Sequence, residues 1–136
     1  MTIDKGIRDI IRSMIPSTLE FVNFSPLPLI YKEMKKHKSV YFITAYCNRC
    51  RQETVHVIHA VSGDPLFTEG GIYIKCHICG DNIFFGKTIY EFFKTYCDTC
   101  KTVTVHALYE TKGGLLTSGG LNIRCLGCGR KIFLGK

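Results

Sequence analysis

The sequence predicts a small β-rich fold: one cysteine-bearing unit copied in tandem behind a short helical N-terminal segment. Three observations predict it. Eight cysteines form four Cys-x-x-Cys pairs, Cys47/Cys50 with Cys76/Cys79 and Cys97/Cys100 with Cys125/Cys128, separated by 25 residues in the first set and 24 in the second. Residues 41–87 also lie over residues 91–136 with a single one-residue gap. Tyr46-Cys-x-x-Cys50 matches Tyr96-Cys-x-x-Cys100, Thr54-Val-His-Val57 matches Thr104-Val-His-Ala107, and Ile74-Lys-Cys-x-x-Cys-Gly80 matches Ile123-Arg-Cys-x-x-Cys-Gly129. Finally, the stretches leading into and out of the first cysteine pairs are rich in β-branched and aromatic residues, as strands require. A match of this length is one supersecondary unit copied.

The elements follow in chain order. Residues 1–39 lack cysteine, and Ile3, Ile7, Ile10, Ile11 and Met14 recur at helical spacing after a possible Thr2 cap, until Pro16 ends the run. Leu27, Ile30, Tyr31 and Met34 predict a second short helix with Pro26 and Pro28 near its start and a basic tail from Lys35 to Lys38. These stripes fit a cap packed on the first copy, or an apolar face that docks into a partner groove. In residues 40–87, Val40–Tyr46, Thr54–Val61 and Ile72–Lys75 read as strands. In residues 88–136 the corresponding strands are Tyr90–Tyr96, Thr102–Tyr109 and Leu121–Arg124. Gly80 and Gly129 follow the second cysteine pairs, where a left-handed residue costs least. In so small a sheet Phe42, Phe84, Phe92 and Phe133 are the expected core aromatics.

A Cys-x-x-Cys turn sets two thiolates side by side, and two such turns facing each other supply the tetrahedron of soft ligands that a structural zinc ion takes. Each copy being a complete unit, Cys47, Cys50, Cys76 and Cys79 should hold one zinc and Cys97, Cys100, Cys125 and Cys128 a second. Two competing readings fit less well. Disulfides suit an exported chain, but the N-terminus shows no signal peptide, and eight cysteines allow 105 pairings with nothing to select one. Thioredoxin-like redox chemistry needs one reactive pair beside a βαβ pattern, not four in a β-rich context. The expected fold class is therefore two tandem four-cysteine zinc ribbons, at residues 40–87 and 88–136, after the helical segment at 1–39. Units near 40 residues need such a staple to hold a core.

The histidines are the other soft donors. His77 lies inside a cysteine turn, but its counterpart is Leu126. His56 and His106 do match, each on a strand six residues after a ligand cysteine, and read either as satisfied strand residues or as contacts to a partner. His37 and His59 are unmatched.

The formal net charge of +7 divides unevenly: +3 in residues 1–40, 0 in 41–87 and +4 in 88–136. Each Zn(Cys)4 site lowers its unit by two, because four thiol protons leave as one dication enters. The parts become +3, −2 and +2. The expectation is two basic ends around a slightly acidic middle, if the segments lie apart in space. The phosphate-contact candidates are Lys32, Lys35, Lys36 and Lys38 at one end, and Lys101, Lys112, Arg124, Arg130, Lys131 and Lys136 at the other. Scattered surface charge explains the same residues without a ligand.

The openings Tyr46-Cys-Asn-Arg-Cys-Arg-Gln-Glu-Thr-Val-His56 and Tyr96-Cys-Asp-Thr-Cys-Lys-Thr-Val-Thr-Val-His106 resemble the start of the zinc-ribbon protein of archaeal and eukaryotic large ribosomal subunits. The resemblance covers about eleven residues per copy and implies binding to ribosomal RNA. That family has one ribbon and a longer, more basic stretch between its cysteine pairs. The 24–25-residue gap looks more like the ribbons of transcription elongation factor S and the tandem-ribbon small subunits of RNA polymerase. The cleavage factor's tip carries an adjacent Asp-Glu pair, whereas here Asp64 and Glu69 stand five residues apart and the second copy has neither.

No Ser/His/Asp set, phosphate-cradling Gly-x-x-x-x-Gly-Lys or open three-ligand metal site is visible, so an enzyme and a small-molecule substrate are not expected. No apolar run approaches 18 residues, so no transmembrane helix is expected. Free thiols without a signal peptide imply a reducing compartment, the cytoplasm. The leading expectation is a non-catalytic module binding RNA or a ribonucleoprotein such as the ribosome. The alternative is a protein-interaction factor docking on RNA polymerase or other transcription machinery.

Overall fold

The computed structural model describes residues 20–21, 29–63, 70–111 and 119–135, and among these it has ten strands and one short helix. They run β1 (Glu20–Phe21), β2 (Leu29–Ile30), α1 (Tyr31–His37), β3 (Tyr41–Cys47), β4 (Gln52–Val61), β5 (Gly71–Cys76), β6 (Asn82–Phe84), β7 (Thr88–Cys97), β8 (Thr102–Thr111), β9 (Gly120–Cys125) and β10 (Lys131–Gly135). Strands β3-β4-β5-β6 form the first sheet. Strands β7-β8-β9-β10 form the second, with β1 and β2 paired to the free edge of β7. All pairings are antiparallel. The two copies share one register near the cysteines: Ile43 opposes His56 and His56 opposes Cys76, as Phe93 opposes His106 and His106 opposes Cys125.

The six strands read from the sequence are all present: the first keeps its length but is shifted by one residue, and the other five are longer by two or three. One was not foreseen in each copy's tail: β6 and β10 are short, and their Ile-Phe runs carry no alternation. The helix expected from Leu27 begins only at Tyr31. Leu29 and Ile30 instead extend along β7, opposite Ile89 and Thr88, because the β7 edge offers hydrogen bonds. The helix ends at Lys38, in the left-handed region with φ 53°, whose N–H donates to the Lys35 carbonyl. The stripe from Ile3 to Met14 lies outside the described residues.

The copies pack asymmetrically. Strand alternation puts Ile43, Ala45, Ile58, Ile72, Ile74 and Ile83 on one face of the first sheet. It puts Ile89, Phe92, Val105, Ala107 and Tyr109 on the opposite-parity face of the second, and these residues share one core with Leu29, Met34, Phe85 and Leu126. The second sheet's other face, with Phe93, Thr95, Thr104, His106, Leu108 and Ile123, is buried as well. Strand β8 is therefore buried without interruption from Thr104 to Tyr109, where β4 alternates. Leu29 and Met34 insert into the core between the two sheets, so the segment before β3 caps neither copy alone.

This stacking corrects the expected core. Phe92 is fully buried, but its counterpart Phe42 is 63 % exposed, and Phe133 is also exposed; Phe84 is half-buried. Phe42 and Phe92 have the same parity, and only the second copy has a sheet laid over that face. Val55 and Val105 divide likewise, 45 % against 2 % exposed. The turn Leu126-Gly127 inserts against the first copy, where the Asn48 N–H donates to the Gly127 carbonyl at 3.0 Å. A Cβ at Gly127 would stand 2.8 Å from the Tyr46 carbonyl oxygen, so only glycine permits this approach. Its counterpart, Ile78, is exposed.

Phe92→Ala should cost about 3–5 kcal/mol, the range for emptying a buried aromatic site. Phe42→Ala should change stability by no more than about 0.5 kcal/mol. Denaturant unfolding of the two variants measures both; equal losses would contradict the asymmetric core.

Candidate metal centres and a cationic cleft

At the end of each sheet the cysteines converge. Cys47, Cys50, Cys76 and Cys79 form one cluster and Cys97, Cys100, Cys125 and Cys128 another, with the sulfurs of each within 4.8 Å of one another. Each copy thus closes its own quartet, and none of the eight is in a disulfide. Two main-chain turns build each cluster. The N–H of Arg51 and of Lys101 donates back to the carbonyl of the first cysteine of its pair at 2.7 Å, and Gly80 and Gly129 do the same at 3.0 and 2.9 Å. All four closing residues have positive φ: 58° and 59° at Arg51 and Lys101, 79° and 82° at Gly80 and Gly129. Sequence reading marked the two glycines; it missed that an arginine and a lysine hold the same conformation.

The geometry suits a tetrahedral ion. An ion about 2.3 Å from four sulfurs at tetrahedral angles sets them about 3.8 Å apart. The Cys47–Cys79 and Cys97–Cys128 sulfurs are 3.7 Å apart, and the Cys50–Cys76 and Cys100–Cys125 sulfurs 3.8 Å. Burial raises the Cys125 thiol to about 11, and burial raises Cys100 further still. Four neighbouring thiols cannot all ionise near neutral pH unless a cation lies among them. Hydroxyls support the sulfurs from outside: Thr54 Oγ1 is 3.2 Å from Cys76 Sγ and Thr104 Oγ1 is 3.1 Å from Cys125 Sγ. The Gly127 N–H donates to Cys125 Sγ at 3.3 Å. Such contacts orient ligands and offset thiolate charge.

No histidine joins a cluster. His56 and His106 are buried, and the Nδ1–H of each donates to a carbonyl two residues earlier, Thr54 and Thr104, at 3.0 Å. They are satisfied strand residues; His106 also stacks on Phe93 at 5.7 Å. His77 is exposed at its turn, and His37 pairs with Glu33 at 3.5 Å.

The basic residues fall differently from the expectation of two separate ends. The Lys35 and Lys87 ammonium groups both lie over the Tyr31 ring, 5.3 and 5.7 Å from its centre, and the Tyr31 N–H donates to the Lys87 carbonyl. Lys87 also lines a cleft of about 440 Å³ at the junction of the sheets, together with Arg124, Lys131, Phe84, Thr88 and Tyr109. The helix, the end of the first copy and strands β9–β10 therefore meet in one cationic region, with Lys87 as its link. Lys87 was absent from the sequence candidates, although its counterpart Lys136 was among them. Lys32, Lys36 and Lys38 are exposed on or beside α1. Arg130 pairs with Asp98 at 3.6 Å, and Lys101 is exposed at its cysteine turn. Lys112, Lys136, Asp64 and Glu69 lie outside the described residues. Among the described residues no helix is long and apolar enough to cross a membrane.

Compared with family models, curated proteins and solved structures, the chain matches none.

Stripping metal with a strong chelator should unfold both copies, since a structural ion of this kind supplies on the order of 10–16 kcal/mol; an unchanged amide spectrum would exclude that role. Gly80→Ala should cost about 1 kcal/mol through backbone strain alone, because the added Cβ meets nothing closer than Lys75 Cε at 3.9 Å. Burial lowers the His106 pKa below its ordinary 6.5, against the opposing hydrogen bond to the Thr104 carbonyl. The unfolded chain therefore binds this proton first, and stability falls as pH drops below that value. Ring nitrogen NMR should find that His106 in the folded protein titrates below the ordinary 6.5, and titration at or above that value would contradict the burial argument.

Proposed function

We propose that the protein is a tandem zinc ribbon without catalytic function that binds RNA, as a component of a ribonucleoprotein such as the ribosome. Zinc suits the clusters because it imposes no redox chemistry and accepts four thiolates in the spacing found. Elemental analysis of protein purified under reducing conditions should find about two zinc ions per chain, one for each quartet.

One observation carries the RNA reading: cations from three separate stretches, Lys35, Lys87, Arg124 and Lys131, meet around Tyr31 and the junction cleft. Chain-wide charge is modest, so a concentrated cationic region says more than the total. Phosphate backbones are bound by such clusters, and a half-buried tyrosine beside two lysines offers a base a stacking surface. The ribbon openings resembling a ribosomal protein point the same way.

A second reading rests on a different surface. The outer face of the first sheet exposes Phe42 and Val55, with Val40 beside them, where the second copy's equivalents are covered. Such a face favours docking on a protein, the transcription machinery being the case that the cysteine spacing suggests.

Affinity for single-stranded RNA should fall with salt, each phosphate contact adding roughly 0.7 to the slope of log affinity against log salt. Undetectable binding at low salt would remove the RNA reading. Affinity purification after nuclease treatment separates the two: loss of partners favours RNA, retained polymerase subunits favour protein docking.

A further inference from the structure

The cleft at the sheet junction holds three cations without a paired carboxylate among the described residues: Lys87, Arg124 and Lys131. Glu110 also borders it, but by alternation its side chain stands on the other face of β8 from Tyr109, where its Oε1 accepts a hydrogen bond from the Tyr90 hydroxyl at 2.8 Å. Its carbonyl faces Gly86, which also lines the cleft.

Arg124 is fixed in place. Its Nε donates to the Gly129 carbonyl at 2.9 Å and one terminal nitrogen to the Phe84 carbonyl at 3.0 Å, so the guanidinium ties β9 to the first copy. The Phe85 ring lies beneath it, 6.0 Å from ring centre to Cζ. Two of its five N–H groups are used by these carbonyls, the Tyr109 hydroxyl is a further hydrogen-bond partner, and Arg124 lines the cleft. Burial keeps Tyr109 a protonated phenol, raising its pKa despite the opposing pull of Arg124. A rigid guanidinium flanked by two exposed lysines is a preorganised anion site, because neither the fork nor its orientation must be assembled on binding.

The charges also lead outward. Lys87 reaches from the cleft to the Tyr31 ring, and Lys35 lies over the same ring. A lone phosphate would leave that extension unused; a chain of phosphates would follow it.

We propose that the junction cleft seats one backbone phosphate of single-stranded RNA between Lys87, Arg124 and Lys131, with the neighbouring nucleotide placed against Tyr31. This rests on the RNA reading above and specifies where the strand enters. It also gives the duplication a use, since neither copy contains the site alone: Lys87 comes from the first, Arg124 and Lys131 from the second.

The test uses the full-length, metal-loaded chain and a fluorescent single-stranded RNA oligonucleotide, titrated at several salt concentrations. Both cleft lysines are exposed, so Lys87→Ala/Lys131→Ala should fold normally, and Arg49→Ala/Lys75→Ala removes the same charge elsewhere. Loss of two contacts should make the salt slope shallower by about 1.4 in the cleft variant and leave it unchanged in the control. Uridine 5′-monophosphate and inorganic phosphate serve as competitors, and neither should displace the oligonucleotide at micromolar concentration. Wild-type binding with an unaltered slope in the cleft variant would overturn the cleft while leaving RNA binding intact. Equal loss in both variants would overturn it too, as would displacement by the mononucleotide or by phosphate. A wild-type chain that binds no RNA at low salt would overturn both readings.

Discussion

Everything in this fold depends on four sulfurs converging at one end of each sheet. Units of this size bury little apolar surface, and the ends of their sheets are held by tight turns closed by residues with left-handed backbone. Left to themselves, four neighbouring thiols would be a poor anchor, since their ionisation is mutually opposed. A metal ion held among them would convert that liability into a clasp by drawing all four thiolates onto one centre. The threonine hydroxyls and turn N–H groups beside the sulfurs are arranged for that charge. They recur at equivalent positions in both copies, Thr54 with Thr104, because the clasp constrains the surrounding strands.

Away from the clasp the copies diverge. Stacking is of the heterologous kind, one face of the first sheet against the opposite face of the second, so equivalent residues meet different surroundings. Small substitutions make this possible. Leu126 and Gly127 stand where the first copy has His77 and Ile78: the leucine enters the shared core and the glycine lets the turn approach the Tyr46 carbonyl. The first copy keeps an exposed version of the same turn. Duplication therefore yields one two-sheet body with distinct surfaces, a bare apolar face on the first sheet and a cationic cleft at the junction.

The cleft also changes how charge in this chain should be weighed. Divided along the sequence, the basic residues form two groups around a neutral stretch, and the sum is modest. Folding brings members of both groups to Lys87, a residue at the end of the neutral stretch. What a polyanion meets is local density, and local density is a property of the packing rather than of the totals.

The sequence alone determined the cysteine quartets, the repeat and most of the strands, because each is written in short-range pattern: two-residue spacing in a turn, alternation in a strand, copied motifs at a fixed distance. It also identified His56 and His106 as a matched pair, while their satisfied rings required the strand backbone to be seen. Only the tertiary structure decided which face of each sheet is covered. Phe42 and Phe92 are the same residue in the same motif, and nothing local distinguishes them; the difference is whether another sheet lies on top. The same holds for β2, which reads as the start of a helix and becomes a strand because the edge of β7, some sixty residues later, has unpaired hydrogen-bonding groups to offer. Long-range contacts of this sort leave no periodic trace in the chain, and for that reason the junction and its cleft emerged only from the packing.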